Sequence, residues 1–194
     1  MYPNLITHIR KFVDLSDEQA DLVLEHAKLL QIKKNDMLLR GGQVCRASYF
    51  VEKGGLCMYF INDKGVEKIT HFVIENWWLS DYLSLGSNNP SAFNIRAFEN
   101  AEVYSLDFHA QELLCRKLPQ LERYFRLMMQ RGYGAHQFRI KLMREFNSEQ
   151  YYHHFRDLYP TFIQRIPQYM LASFLGLTPE YLSELRKKDA PRTS

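Results

Sequence analysis

Between Leu118 and Phe146, apolar or small residues recur every three and four positions: Leu118, Leu121, Phe125, Met128, Gly132 and Ala135, then Arg139, Leu142 and Phe146. This is an a/d heptad register, and it predicts a helix roughly 40 Å long at 1.5 Å per residue. Pro119 suits an early helical turn, where its missing N–H costs nothing. The stripe either lies along its own domain or packs on a copy of itself. A helix this long outreaches a small domain's core, so the second arrangement is expected. Leu121, Phe125, Met128, Gly132, Ala135 and Leu142 then form the dimer seam, with Gly132 and Ala135 where two backbones approach most closely. Gly132 and Gly134 cost helix stability, about 1 kcal/mol each against alanine.

The same stretch gathers the positive charge. Residues 116–146 hold eight Lys/Arg against two Asp/Glu, residues 1–115 eleven against fifteen, and residues 148–194 six against five. The overall charge of +3 therefore conceals a basic central helix, facing an anion or solvent. At 194 residues the chain has room for one or two domains, and a hydrophobic fraction of 46% supplies a core. It has no run of eighteen apolar residues, and no basic segment followed by an apolar one at its start. Neither a membrane helix nor a signal peptide is expected. Cys45, Cys57 and Cys115 are scattered without CxxC spacing and read as reduced thiols of a cytoplasmic protein. His153 and His154 would point about 100° apart on a helix and make a poor metal pair. With no HExxH, GxSxG, P-loop or GxGxxG, no metal site and no catalytic residues are expected, and the chain is not read as an enzyme.

Residues 4–30 read as helical, with Leu5, Ile9, Phe12 and Val13 on one face and Ser16 capping a second helix. From Leu30 to Leu106 the period changes to two. Short apolar runs alternate with turns, and Asn62-Asp-Lys-Gly65 marks a hairpin between Leu56–Ile61 and Val66–Val73. Such a series of short strands predicts an antiparallel barrel or sandwich. Beyond the long helix, Ser148 is expected to cap another helix, which Pro160 ends.

The last segment has the spacing of a helix-turn-helix: Leu171-Ala172, Leu175-Gly176-Leu177, then Leu182 and Leu185. Ala172 is small where the second helix crosses, and Gly176 supplies the turn. Thr178-Pro179-Glu180 reads as an N-cap, a proline at the first helical position and an acid at the positive helix end. An ordinary helical hairpin shares this apolar spacing. Read as a DNA-binding unit, its candidate contacts are Thr178 at the cap, Glu180, Tyr181, Ser183 and Glu184 toward base edges, and Arg186, Lys187 and Lys188 toward phosphates.

Helices, a small β-barrel, a long helix and a C-terminal helix-turn-helix in that order resemble the Crp/Fnr family of bacterial transcription regulators. Tyr49-Phe-Val-Glu-Lys-Gly54 resembles the family's barrel strand and turn. Trp78-Leu-Ser-Asp81 through Ser91-Ala-Phe-Asn-Ile-Arg-Ala97 lies where the family carries its phosphate-binding cassette. The resemblance implies an α+β fold: a jelly-roll-like sensor barrel with flanking helices (1–117), a dimerisation helix (118–147) and an all-α helix-turn-helix domain (148–194). It also implies a homodimer on double-stranded DNA, RNA polymerase as a further partner, and a small-molecule effector. Ser80, Asp81, Tyr82, Ser91 and Ala92 occupy cassette positions. Tyr133, His136 and Gln137 of the long helix lie by position at the mouth of the expected pocket.

Two departures qualify what the resemblance implies. The family cassette typically reads Gly-Glu-Leu, then Arg-Ser/Thr-Ala; here the matching positions are Ser80-Asp81-Tyr82 and Pro90-Ser91-Ala92. Asp81 is one methylene shorter than the family's glutamate, and Pro90 replaces the arginine that neutralises the cyclic phosphate. Binding of a cyclic nucleotide in the family's usual way is therefore not expected, unless Arg131 or Arg139 supplies the cation. Arg96 should point away, on the opposite face of its strand from Ser91, Phe93 and Ile95. The sequence also stops six residues after Lys188; unless it is truncated, phosphate contacts from the family's wing are expected to be missing. The reading is a homodimeric, sequence-specific DNA-binding regulator with an effector-sensing barrel. The rival is a ligand-binding or protein-interaction module whose helix-turn-helix no longer reads DNA.

Overall fold

The computed structural model describes residues 2–189; the tail 190–194, on which the reading of a missing wing rests, lies outside them. The elements run α1 (Asn4–Arg10), α2 (Asp17–His26), β1 (Lys28–Ile32), β2 (Met37–Leu39), β3 (Ala47–Lys53), β4 (Gly55–Ile61), β5 (Glu67–Ile74) and β6 (Trp78–Leu79). They continue through α3 (Tyr82–Ser87), β7 (Asn94–Ala97), β8 (Ala101–Asp107), α4 (Phe108–Lys117), α5 (Gln120–Glu145), α6 (Ser148–Leu158), α7 (Pro160–Arg165), α8 (Gln168–Leu175) and α9 (Pro179–Asp189). The chain falls into two compact units, Met1–Phe60 with His71–Gly132, and Ile61–Thr70 with Tyr133–Ser194.

The strands form two four-stranded sheets, ordered β1-β8-β3-β6 and β2-β7-β4-β5, all in the first unit save Ile61 of β4 and Glu67–Thr70 of β5, and every register described is antiparallel. The sheets are jelly-roll-like and do not close into a barrel. Strand β3 explains the layering. Successive side chains point to opposite faces, so Tyr49 and Val51 join the core between the sheets, with Leu56, Met58, Ile95 and Val103. Phe50 joins a second core on the far face, with Leu5, Ile6 and Ile9 of α1, Ala20 and Val23 of α2, Leu114 of α4, and Leu121 and Tyr124 of α5. Ser16 caps α2 in a reciprocal box with Gln19. The helical reading of 4–30 needs correcting at its end: Lys28–Ile32 is the strand β1, paired with β8.

The second unit gathers α6 to α9, the later part of α5 and the hairpin residues Ile61–Thr70. Its buried residues include Leu142, Tyr151, Tyr152, Phe155, Ile163, Met170, Leu171, Phe174, Leu182 and Leu185. The cap of α6 is Asn147, one residue earlier than expected, boxed with Gln150. Pro160 ends α6 by starting α7 at its first position.

Helix α5 corrects the seam. Leu121 and Tyr124 are buried in their own core, Phe125 and Met128 pack partly against it, and Leu142 is buried as well. Every residue from Met129 to Phe138 is exposed. The stripe chosen from the sequence is thus covered at both ends by its own chain. The apolar row left bare lies one residue later: Met129, Tyr133, Ile140 and Met143, with His136 in step. One residue is a 100° turn of an α-helix. No helix among the described residues is long and apolar enough to cross a membrane.

Candidate functional site

The cassette positions meet in the first unit as a closed polar cluster. Asp81 and Ser91 are buried at 5% and 4% exposure. Asp81 caps α3: its Oδ1 accepts from the N–H groups of Leu83 (3.1 Å) and Ser84 (3.4 Å), and its Oδ2 accepts from the Ser91 hydroxyl at 2.6 Å. Ser84 donates to the carbonyl of Asn89 (2.6 Å) and accepts from the N–H of Cys45 (2.9 Å). Ser80 donates to the carbonyl of Ala47 at 3.1 Å. Both carboxylate oxygens of Asp81 are therefore engaged within the protein. Pro90, at the place of the family's arginine, pairs in a bridge with Val44 and brings neither charge nor N–H. Tyr82 and Ala92 are exposed, and Tyr82 does not join the cluster.

The cations considered as substitutes are occupied. Arg96, on β7, lies over the Tyr59 ring at 4.5 Å. Arg131 lies over Phe12 and Trp77 at 5.4 and 5.9 Å. Arg139, in the second unit, donates to the carbonyls of Thr70 and, at 3.3 Å, Phe174, and its guanidinium sits 3.9 Å from the Phe174 ring. The arrangement does not fit the usual recognition of a cyclic phosphate, a charge-assisted fork beside an available acceptor. Tyr133, His136 and Gln137 all project from the bare stretch of α5.

A buried chain of hydrogen bonds joins β6, which leads into the cassette, to α5 and α1. Trp78 Nε1 donates to the Tyr124 hydroxyl at 2.8 Å, and that hydroxyl lies 2.9 Å from His8 Nδ1. With the hydroxyl oxygen accepting from Trp78, its proton goes to His8, which places the imidazole proton on Nε2. Burial, with Lys11 and Arg131 nearby, pushes the pKa of His8 down to about 4. The sequence hinted at this network only through three polar aromatic residues on apolar faces.

In the second unit, α8 and α9 form the expected helix-turn-helix. Gly176 adopts φ +73°, the left-handed conformation that ends α8, and Leu177 N–H returns to the carbonyl of Ala172 at 2.9 Å. Thr178 Oγ1 accepts from Tyr181 N–H at 3.2 Å, an N-cap bond. Leu182 and Leu185 are buried; Thr178, Glu180, Glu184, Lys187 and Lys188 are exposed, and Ser183 is half-buried. Two candidate contacts are engaged internally. Tyr181 donates to Glu149 Oε2 at 2.8 Å, and Arg186 donates to the carbonyl of Ile163 at 3.3 Å. The hairpin Ile61–Thr70 joins this unit through Ser173, whose hydroxyl accepts from Ile69 N–H (3.1 Å) and donates to the carbonyl of Glu67 (3.0 Å). A groove of about 290 Å³ lies there, lined by Val66, Ile69, Tyr169, Met170, Leu177 and Pro179 among others. Among the described residues, no group of three His, Cys, Asp or Glu could hold a metal ion.

Residues 29–117 match the cyclic nucleotide-binding domain family. Over 179 residues the chain is 26% identical to the fumarate and nitrate reduction regulatory protein of Escherichia coli (strain K12), which covers 87% of this chain and 70% of that one. Among solved structures, the c-di-GMP-responsive global regulator CLP of Xanthomonas campestris superposes with a TM-score of 0.70 at 14% identity, over 89% of this chain and 91% of its own. FixK2 of Bradyrhizobium japonicum gives 0.69 at 14% identity, over 84% and 83%. Domain, order of elements and relatives agree in what they resemble: the chain is similar to transcription regulators of the Crp/Fnr type, none of them an enzyme.

Proposed function

We propose that this chain is a dimeric DNA-binding transcription regulator of the Crp/Fnr type whose sensor does not take a cyclic nucleotide through its cassette. The observation that carries the DNA reading is the capped α8–α9 unit with Glu180, Glu184, Lys187 and Lys188 outward on α9. The N-terminal part of such a helix meets base edges, and basic residues further along meet phosphates. Two copies must hold their α9 helices about 34 Å apart to enter successive major grooves. The bare row Met129, Tyr133, His136, Ile140 and Met143 repeats at four and three residues, which is the pattern of a two-helix seam. This row replaces the seam through Leu121 and Leu142.

The cassette reading rests on the Ser91–Asp81 bond and on Pro90. A cyclic nucleotide would have to break the first and would gain no charge-assisted contact from the second. Hydrogen bonds to charged groups contribute roughly 1.5–3 kcal/mol, so affinity should be weaker by at least about tenfold than with an intact arginine. Calorimetry with cyclic AMP and cyclic GMP tests this, and micromolar binding that survives Arg131→Ala and Arg139→Ala would overturn it.

The rival reading, an interaction module that has left DNA behind, draws on one observation: the Tyr181 and Arg186 side chains are held by the protein itself. Gel shifts on random DNA at rising salt separate the two. A DNA-binding dimer gives affinity that falls linearly in log–log form with salt; the module gives none. Sedimentation of Ile140→Glu, expected to be monomeric, tests the seam.

A further inference from the structure

We propose that Arg139 is the positioning residue that fixes the helix-turn-helix on α5 and thereby sets where the recognition helix α9 points. The inference builds on the DNA-binding reading. Its structural part can be tested without DNA.

Arg139 is a cation with no carboxylate in ion-pair contact among the described residues. Its environment is built from elements far apart in sequence. From α5 it donates to the carbonyls of Thr70, in the hairpin, and Phe174, in the last turn of α8. The Phe174 ring stacks under the guanidinium at 3.9 Å, and Tyr151 of α6 is close enough to favour its charge electrostatically. Nε is buried without a partner. A guanidinium this enclosed is costly unless several acceptors share its charge. Helix α8 has no basic residue in its own last turn. Its C-terminal carbonyls carry the negative end of the helix dipole, and Arg139 supplies the cation from outside. A planar fork suits this place and a lysine point charge does not.

The consequence follows from how α8 and α9 are joined. Gly176 sets the turn, Gln168 Nε2 donates to the carbonyl of Pro179 at 3.1 Å, and Tyr181 and Arg186 tie α9 to α6 and α7. These helices therefore move together. The backbone link from α5 is short, with Phe146 and Asn147 between α5 and α6. A short link leaves the angle to side-chain contacts, and Arg139 bonds directly to α8. Phe138 and Phe146, whose rings lie 6.4 and 5.4 Å from His154 of α6, support the same joint without reaching α8 through any described bond.

The test is a distance measurement in the full chain. Spin labels are placed at Gln137→Cys on α5 and Lys187→Cys on α9, both exposed, with labelled chains diluted into excess unlabelled ones. The native cysteines are buried and escape labelling. The parent should give one narrow distance, and Arg139→Met, which keeps length and loses the fork, a broad or shifted distribution. In parallel, affinity for an operator selected from random DNA should fall by about 5–150-fold, the usual range of coupling between sites, while non-specific binding holds. Arg139→Lys should recover little. If Arg139→Met fails to fold, Phe174→Leu and Tyr151→Phe carry the test, and broadening in either supports the proposal. An unchanged distribution in every folded variant overturns it. A parent with one sharp distance but no affinity for DNA overturns the DNA reading and leaves the role of Arg139 in the joint intact.

Discussion

The two halves of α5 obey the same heptad and live in different surroundings. Before Met129 the helix is part of a core: Leu121 and Tyr124 are buried, and Tyr124 hydrogen-bonds with Trp78 and His8. From Met129 to Phe138 every residue is exposed, and at Gly132 and Gly134 a Cβ would meet no atom within 4 Å. Apolar periodicity thus reports that a helix has a face to bury, not whose surface buries it. The first half contributes to the stability of the protomer, and so do Arg139 and Leu142 further on; the exposed stretch between them contributes little.

The largest break in this contrast is Leu121→Ala against Tyr133→Ala. The first opens a cavity in a closed core and should cost about 2–5 kcal/mol in urea unfolding. The second should change protomer stability by less than about 0.5 kcal/mol and weaken the dimer by sedimentation.

Acid should then strike the core that the first half joins. His8 is held at about 4, below the ordinary 6.5, so between these values the unfolded chain binds a proton that the folded one does not. Its contribution is complete above about pH 6.5 and is lost as pH falls toward 4, by about 3 kcal/mol in all. Urea titrations across this window should show the loss in the parent and not in His8→Leu, compared as slopes against pH.

A smaller effect sharpens the second half. Gly134→Ala should stabilise α5 by about 1 kcal/mol, because nothing in the protomer opposes the new methyl group. If the mutant is instead destabilised and dissociates, the glycine lies where two copies cross. Smallest is Lys187→Ala on α9, which should weaken all DNA sequences alike and lower the salt slope by about 1.

These contrasts also show what could be read beforehand. The order of helices, strands, long helix and helix-turn-helix was legible because each has its own period or turn signal. The burial of the stripe's two ends within the protomer could not be read beforehand because α5 carries apolar residues in adjacent pairs, Met128 with Met129 and Leu142 with Met143. Either member continues a three-and-four step, and only burial tells them apart: Met128 packs partly against the core of the first unit and Leu142 is buried in the second, while Met129 and Met143 are exposed. Asp81 and Ser91 could be placed in the cassette by position. Their mutual bond could not, since it depends on α3 folding the nine intervening residues back. Arg139 looked like a seam residue or a spare cation; its partners Thr70 and Phe174 lie 69 and 35 residues away.

Strand β5 stands last in its sheet, and beyond it the hairpin's Glu67 carbonyl and Ile69 N–H are taken by Ser173, more than a hundred residues later. An uncovered strand edge is a template for any other strand. Within the second unit the Ser173 hydroxyl does for these two backbone groups what a neighbouring strand would do, so Ser173→Ala should leave that short stretch of edge open to pairing.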